Sequence, residues 1–277
     1  MLLSFVLAGW MICRAVGLLT GPATSNKALQ SCWIDTRSSE LYERTQSVVC
    51  ATDQKLFDEA LKEARTGQSE APTNPLFRYL EAVAAWKSGN TALALKAIDA
   101  GNRRGTIEFY APENLPPDRW QWPEVRLISG LGMSIIERFP SNKHALMSSL
   151  VMGHRLVWSE LPDMARILHG LHLRKIAAEK LLIIAEKEND SALAKLCQKL
   201  IDETLPLENA VNSRNIEEAG KGIIVDNFRD LLPSDYNKHN PRLKDTAMFI
   251  MRAKQVELSN QLRNKYLHTR SLGVFEP

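Results

Sequence analysis

The sequence predicts an all-α fold of stacked antiparallel helical hairpins, with one apolar helix at the N-terminus. Apolar residues recur at the three- and four-residue spacing of an amphipathic helix, and no long stretch alternates apolar and polar residues as a strand does. Leu, Ala, Lys and Glu, which are strong helix formers, dominate the 277-residue chain. Pro, Gly, Asn and Asp interrupt the pattern at intervals of one helix length. With 44% hydrophobic and 24% charged residues, the chain has enough apolar surface for a core of one or two domains.

An apolar run of 19 residues occupies positions 2–20. As a helix it spans roughly 28 Å, which is close to the thickness of the hydrocarbon core of a bilayer. Arg14 lies inside the run, where a long side chain can reach the interface, and no Lys or Arg precedes the run. We interpret residues 1–23 as a signal peptide or membrane anchor, which predicts an exported or membrane-anchored protein of the cell envelope. If the run is a core helix instead, the protein is cytoplasmic.

Turn residues divide the next part of the chain into helices. Residues 53–66 place one apolar stripe on a helix face, formed by Leu56, Phe57, Ala60, Leu61 and Ala64. Residues 76–87 are apolar nearly all round, which is typical of a helix sandwiched between neighbours. Gly89 suits the C-terminal cap of this helix, and Asn90 suits the N-terminal cap of a second helix over residues 91–100.

Small and large residues stand in a fixed order around this turn, in the stretch WKSGNTALALKAI. The positions that carry the order are Ala85, Trp86, Gly89, Ala94 and Ile98. They resemble the tetratricopeptide repeat, and the stretch FDEALKEA with the turn around Pro72 resembles the second half of a preceding repeat. The resemblance covers residues 53–103, about one and a half repeats, and Glu81 departs from it because the family usually has Leu there. The resemblance implies that residues 38–104 form tetratricopeptide-like hairpins of an α-solenoid, whose groove binds a protein or peptide partner.

Residues 105–123 form a loop that is rich in proline and aromatic residues. Its four prolines prevent a continuous helix, and its four aromatic residues are too many for a flexible linker. The candidate binding residues in this loop are Phe109, Tyr110, Arg119, Trp120 and Trp122. Either the loop docks on the surface of the hairpins through its rings, or it presents the rings to a ligand. We favour the docked arrangement.

The remainder of the chain is predicted to be helical as well. Residues 124–232 form a helical-hairpin region, in which Asp190 caps the second helix of one hairpin. Residues 241–268 form a long C-terminal helix. From Arg242 to Arg270, seven Lys and Arg residues are offset by two acidic residues, so the local charge of +5 exceeds the +3 of the whole chain. Such a helix attracts an acidic partner, anionic lipid or nucleic acid, although a solvated helix face is the simpler interpretation.

No motif in the chain specifies a reaction, a cofactor or a metal site. His169 and His172 stand three residues apart on a predicted helix, but no third ligand is spaced to join them. Cys32 and Cys50 form a disulfide only if the chain reaches an oxidising compartment, and we expect free thiols. We therefore predict no catalytic residue, no cofactor and no bound metal.

These features favour a protein-binding helical-repeat scaffold, exported or membrane-tethered, with a protein or peptide partner in its groove. Two alternatives stay open. An all-helical enzyme that acts on glycans would need paired carboxylates, for which Glu113, Asp118 and Glu160 are the first candidates. A nucleic-acid-binding regulator would use the basic C-terminal helix, but that helix has few aromatic residues, which makes nucleic acid the less favoured partner.

Cell fractionation tests whether the apolar run attaches the protein to a membrane. We expect the full-length chain to sediment with membranes and a chain without residues 1–23 to stay in the soluble fraction, because the run is long enough to span a bilayer. Carbonate extraction distinguishes an embedded helix from a peripheral contact. Full-length protein that stays soluble, with its N-terminus intact by mass spectrometry, contradicts both the anchor and the signal peptide.

Overall fold

The computed structural model describes residues 36–110, 123–159, 164–212, 259–261 and 263–273. Within these ranges all of the regular secondary structure is helical, which confirms the all-α class. The apolar run at 2–20 and most of the basic helix predicted at 241–268 lie outside the described residues. None of the described helices is both long and apolar enough to cross a membrane.

Eight helices with defined bounds make up most of the described chain. They are α1 (Thr36–Asp53), α2 (Phe57–Glu70), α3 (Leu76–Lys87), α4 (Thr91–Asn102), α5 (Pro123–Arg138), α6 (Lys143–Val157), α7 (Met164–Glu188) and α8 (Ser191–Asn212). Short helical turns at 259–261 and 263–266 follow, and residues 267–272 are not helical.

The helices pack mainly against their neighbours along the chain. Helices α1 to α4 contact one another in sequence, and so do α5 to α8. Next-but-one contacts join α1 to α3, α3 to α5, α5 to α7 and α4 to α6. Each of α1–α2, α2–α3, α3–α4, α5–α6 and α7–α8 is a contacting pair joined by a short turn, which is the definition of a helical hairpin.

The hairpin turns use the residues that the sequence indicated. Gly89 has φ +85°, a left-handed conformation that favours glycine, at the end of α3. The Asn90 side chain accepts a hydrogen bond from Leu93 N at 3.1 Å and so caps α4. The Asp190 carboxylate accepts from Leu193 N at 3.1 Å and caps α8 in the same way. These three predictions are confirmed.

The boundary of the helix predicted at 53–66 differs in the structure. Asp53 is the last residue of α1, Lys55 has φ 63°, and the next helix begins only at Phe57. Leu56 therefore lies in the turn, where 48% of its surface is exposed, while Ala60 and Ala64 are buried as predicted. A positive φ at a non-glycine residue breaks the helical hydrogen-bond ladder, and no apolar spacing reveals it.

Two facing glycines bring the backbones of α6 and α7 together. A Cβ added to Gly153 would lie 2.8 Å from Arg174 N and 2.9 Å from Gly170 O. A Cβ added to Gly170 would lie 2.8 Å from both Gly153 O and Val157 N. Since these neighbours are backbone atoms, a side chain at either position could be accommodated only by moving a helix.

The interior consists of one large apolar cluster and a second, smaller one. The large cluster runs through all eight helices or their connecting turns and includes the segment that follows α4. The smaller cluster is formed by Val157, Ile167, Leu171, Leu207 and Leu267. Helix α3 has nine buried residues among its twelve, which confirms its predicted position between neighbours.

The close contact of α6 and α7 at Gly153 and Gly170 predicts that a Gly→Ala substitution there lowers stability far more than one at an open position. We expect Gly153→Ala and Gly170→Ala each to lower the free energy of unfolding by about 2–3 kcal/mol, because the added methyl group meets backbone atoms. The matched control is Gly130→Ala in α5, where nothing lies within 4 Å of the added Cβ. This control is expected to gain up to about 1 kcal/mol, since alanine is the better helix former. Denaturant titration measures all three, and equal effects would contradict the close crossing.

Candidate functional site

The segment that follows α4, residues 105–110, crosses the helices in a non-helical conformation. From Thr106 to Phe109 burial alternates, because Ile107 and Phe109 are buried whereas Thr106 and Glu108 are exposed, and Tyr110 is buried as well. This period of two is typical of an extended chain with one side against a surface. Residues 105–110 therefore lie on the helical framework as a bound peptide would, and we call them the inner segment.

Asn74 holds the inner segment by its main chain. Its side chain is fixed first, because Asn74 Oδ1 accepts from Leu76 N at 3.0 Å in the turn before α3. The amide then donates from Nδ2 to Glu108 O at 2.8 Å and accepts from Glu108 N at Oδ1, 3.3 Å away. A side-chain amide that bonds both main-chain groups of one residue replaces the partner that a neighbouring strand would supply.

The two rings of the inner segment face the protein interior. Tyr110 is 9% exposed, stacks on Phe77 with ring centroids 6.2 Å apart, and accepts a hydrogen bond from Asn74 Nδ2 at 2.8 Å. Phe109 is 7% exposed, and the Arg166 guanidinium of α7 lies 4.2 Å from its ring centroid. A cation over a buried aromatic face is a favourable contact. The segment thus connects the turn before α3 to α7.

Arg155 of α6 holds the start of the inner segment. Its guanidinium donates to Asn102 O at the end of α4 and to Gly105 O. The Asn102 side chain in turn donates to Ser148 O of α6 at 3.0 Å and accepts from the Tyr79 hydroxyl at 2.8 Å. Burial raises the pKa of Tyr79, so this hydroxyl stays protonated and keeps donating. The carbonyl of Asn102, the last residue of α4, is thus satisfied by this arginine.

The structure separates the five predicted binding residues into two groups. Phe109 and Tyr110 contact the protein's own helices, as in the docked arrangement. Arg119, Trp120 and Trp122 lie outside the described residues, so the ligand-facing alternative remains a prediction for them.

Sequence reasoning missed Asn74 and Arg155, the two side chains that hold the inner segment. In the sequence, an Asn-Pro pair before a helix indicates only a turn. An arginine near the end of a helix is expected to point into solvent. The partners of these two side chains are 34 and 50 residues away, and no local pattern signals such a distance.

One cluster contains the Ser, His and Asp side chains of a hydrolase triad, but they do not contact one another in the order that a triad requires. Ser148 Oγ donates to Asp99 Oδ1 at 2.8 Å, and His144 Nε2 lies 3.0 Å from Asp99 Oδ2. A nucleophilic serine needs the imidazole beside its hydroxyl to take the proton. Here the carboxylate stands between the two, so the cluster holds α4 against α6 and does not activate the serine.

The other residues that the sequence suggested for metal binding, catalysis or a disulfide lie as follows. His169 lies within 3.2 Å of Ser129 Oγ, whereas His172 is exposed. No group of three His, Cys, Asp or Glu side chains suited to a metal occurs in the part of the chain that the structure describes. Glu113, Asp118 and Glu160, the suggested glycosidase carboxylates, lie outside it, as does Cys32, while Cys50 is exposed on α1.

A fully buried arginine joins α7 to α8. Arg174 has no exposed surface, and its Nη2 donates to Thr204 Oγ1 at 3.0 Å. Burial lowers the pKa of Arg174 to about 10, an effect partly opposed by the charge of Glu203. Nε and Nη1 of this side chain have no hydrogen-bond acceptor among the described residues. A charge held in this way costs stability and is therefore a constraint on how the two helices pair.

The chain matches no protein-family model, no curated protein and no solved structure. The class of the protein therefore rests on the structure of the described residues alone. They form an all-α protein of consecutive helical hairpins, in which Asn74 of a turn and Arg155 of α6 hold an extended segment by its main chain.

The hydrogen bonds of Asn74 predict that two Asn→Ala substitutions, at Asn74 and at Asn90, lower stability by different amounts. Asn74→Ala removes four hydrogen bonds inside the protein, and we expect it to lower the free energy of unfolding by about 2–4 kcal/mol. Asn90→Ala removes one exposed helix cap and should cost about 1 kcal/mol. Urea unfolding with both variants measures the difference. If Asn74→Ala costs no more than Asn90→Ala, the inner segment is not held by Asn74.

Proposed function

We propose that this protein is a protein-binding scaffold of stacked, tetratricopeptide-like hairpins, and that its groove takes an extended segment of a partner protein. The observation that carries the proposal is the pair of hydrogen bonds between Asn74 and the main chain of Glu108. A helical framework that already holds an extended segment by its backbone, through a residue of one of its turns, has the chemistry that peptide recognition needs. Main-chain bonds supply affinity, and pockets for alternate side chains supply selectivity.

The pattern of helix contacts supports the solenoid part of the proposal. Helices α1, α3, α5 and α7 form one row of neighbours, and α4 and α6 are neighbours on the other side of the hairpins. Rows of this kind arise when hairpins stack in chain order. Small buried residues at the crossings, such as Ala60, Ala82 and Ala94, allow the close approach that the family resemblance implies.

The row also suggests where a partner lies. Helix α5 contacts α3 and α7 on its two sides and α6 behind it. Its exposed residues, which include Arg126 and Gly130, therefore face away from α6. Helix α3 is almost wholly buried, so a partner segment on this side would cross α5 and α7 and contact two successive hairpins, as in other helical-repeat scaffolds.

The location of the scaffold is part of the same proposal. The 19-residue apolar run at 2–20 supports export or attachment to a membrane. An attached scaffold would bind its partner at the membrane surface.

Selection from a displayed library of random peptides about twelve residues long, on the immobilised full-length protein, tests the proposal. We expect enriched peptides that bind with dissociation constants of about 1–100 µM and protect backbone amides of α5 and α7 from hydrogen exchange. A scrambled peptide of the same composition serves as the ligand control. Absence of any enriched peptide that outcompetes its scrambled form would overturn the proposed function.

A matched pair of variants locates the groove. Gly130 is exposed in open space on α5, so Gly130→Arg adds bulk to the row without a clash. Ala192→Arg adds the same side chain at an exposed position of α8. The first variant should weaken binding of a selected peptide at least about tenfold, and the second should leave it unchanged. Equal affinities for both would place the groove elsewhere.

A further inference from the structure

A second non-helical segment, residues 267–272, lies against α6 and α8 at the other end of the described chain. We call it the outer segment. Leu267, Thr269 and Leu272 are buried, whereas His268, Arg270 and Ser271 are exposed. Like the inner segment, it turns one side to the helices and the other to solvent.

Side chains of α6 bind the main chain of the outer segment. Trp158 Nε1, just after α6, donates to Thr269 O at 3.0 Å. His154 Nε2 lies 3.1 Å from Arg270 O. Because a carbonyl oxygen only accepts hydrogen bonds, this nitrogen carries the imidazole proton. Two successive carbonyls are thus bonded by donors four residues apart, one in the last turn of α6 and one just after it, independently of the segment's own side chains.

A carboxylate on α8 recognises one residue of the outer segment in two ways. Glu203 Oε1 accepts from the Thr269 hydroxyl at 2.7 Å, and Oε2 accepts from Thr269 N at 3.3 Å. The two donors are thus the hydroxyl and the main-chain N–H of the same residue. A residue without a hydroxyl would remove this donor from a buried carboxyl oxygen, so the contact favours Thr or Ser at its position.

The remaining side chains of the outer segment have specific surroundings. Leu267 belongs to the small apolar cluster with Val157, Ile167 and Leu207, and Leu272 belongs to the large core. The Arg270 guanidinium lies 5.4 Å from the centroid of the Trp158 ring. The pattern that α6 and α8 recognise is therefore Leu-x-Thr-Arg-x-Leu.

The end of α6 favours a basic segment. Arg263, four residues before Leu267, donates to Val157 O and Ser159 O at 3.2 Å each. These carbonyls carry the negative end of the helix dipole. The same guanidinium lies 4.8 Å from the centroid of the Trp158 ring, so one indole contacts two arginines.

We propose that the surface formed by His154, Trp158 and Glu203 is a peptide-recognition site, that the outer segment occupies it as an internal ligand, and that a basic partner segment with the pattern Leu-x-Thr-Arg-x-Leu displaces it. The inference rests on the proposed function and adds to it a second site, the sequence class of its partner and an autoinhibitory control. A partner then binds in proportion to the fraction of molecules in which the outer segment has left the site.

The test uses the full-length chain and a fluorescent synthetic peptide of residues 263–273, with binding followed by anisotropy. Thr269→Val in the protein removes the hydroxyl that bonds Glu203 and weakens the internal ligand. We expect this variant to bind the peptide at least about tenfold more tightly than the wild-type chain. His268→Ala changes an exposed residue of the same segment and should bind like wild type.

Two further measurements assign the binding to this site. Trp158→Phe keeps an aromatic ring and loses the Nε1 donor, so in the Thr269→Val background it should weaken peptide binding at least about tenfold. A peptide that itself carries the valine at position 269 should bind at least about tenfold more weakly to the same chain. Cooperative thermal unfolding verifies that each variant is folded.

Three outcomes overturn the inference. If the folded Thr269→Val chain does not bind the peptide, or if that chain no longer unfolds cooperatively, the outer segment is a permanent part of the core. If the wild-type chain dimerises with increasing concentration and its monomer binds no peptide, the site belongs to a second copy. Library peptides that bind the exposed face of α5 and α7 would leave the proposed function standing in all three cases.

Discussion

Gly153 and Gly170 bring the backbones of α6 and α7 into direct contact, and both extended segments depend on that contact. His154 of α6 and Trp158, the residue that follows α6, lie within five residues of Gly153 and bind the outer segment. Arg166 lies one turn before Gly170 on α7 and covers a ring of the inner segment. A helix pair separated by larger side chains would move these donors by more than a hydrogen bond tolerates.

Buried charges restrict how the helices pair with one another. Glu81 of α3 is 4% exposed and is bonded by Arg65 and Gln68 of α2 and by Arg78 of α3 itself. Arg174 of α7 has Thr204 of α8 as its hydrogen-bonded partner. Neither arrangement maximises stability, because each ion has lost its hydration. A shifted register would leave the charge without its donors or acceptor, so these residues favour one pairing over the alternatives.

The inner and outer segments are held by the same physical means. In each, side chains of the helical framework bond main-chain groups, and some side chains of the segment are buried while their neighbours face solvent. Amide, indole and carboxylate groups take the places that a neighbouring strand would have in a sheet, so an extended chain can lie on helices without unsatisfied polar groups. An all-α protein thereby acquires surfaces that accept extended peptides.

The sequence by itself determined what depends on neighbours along the chain. Apolar spacing predicted the helices, and Gly89, Asn90 and Asp190 marked their ends, because capping involves residues only three or four apart. Apolar spacing placed the start of α2 wrongly, because the positive φ of Lys55 interrupts the helix before Phe57. The tertiary structure alone decided which distant groups meet. Asn74 and Glu108 are 34 residues apart, and Glu203 and Thr269 are 66 apart. Such contacts exist only after the helices have packed, since the approach of two helices is set by the side chains at their crossing and leaves no periodic pattern in the sequence.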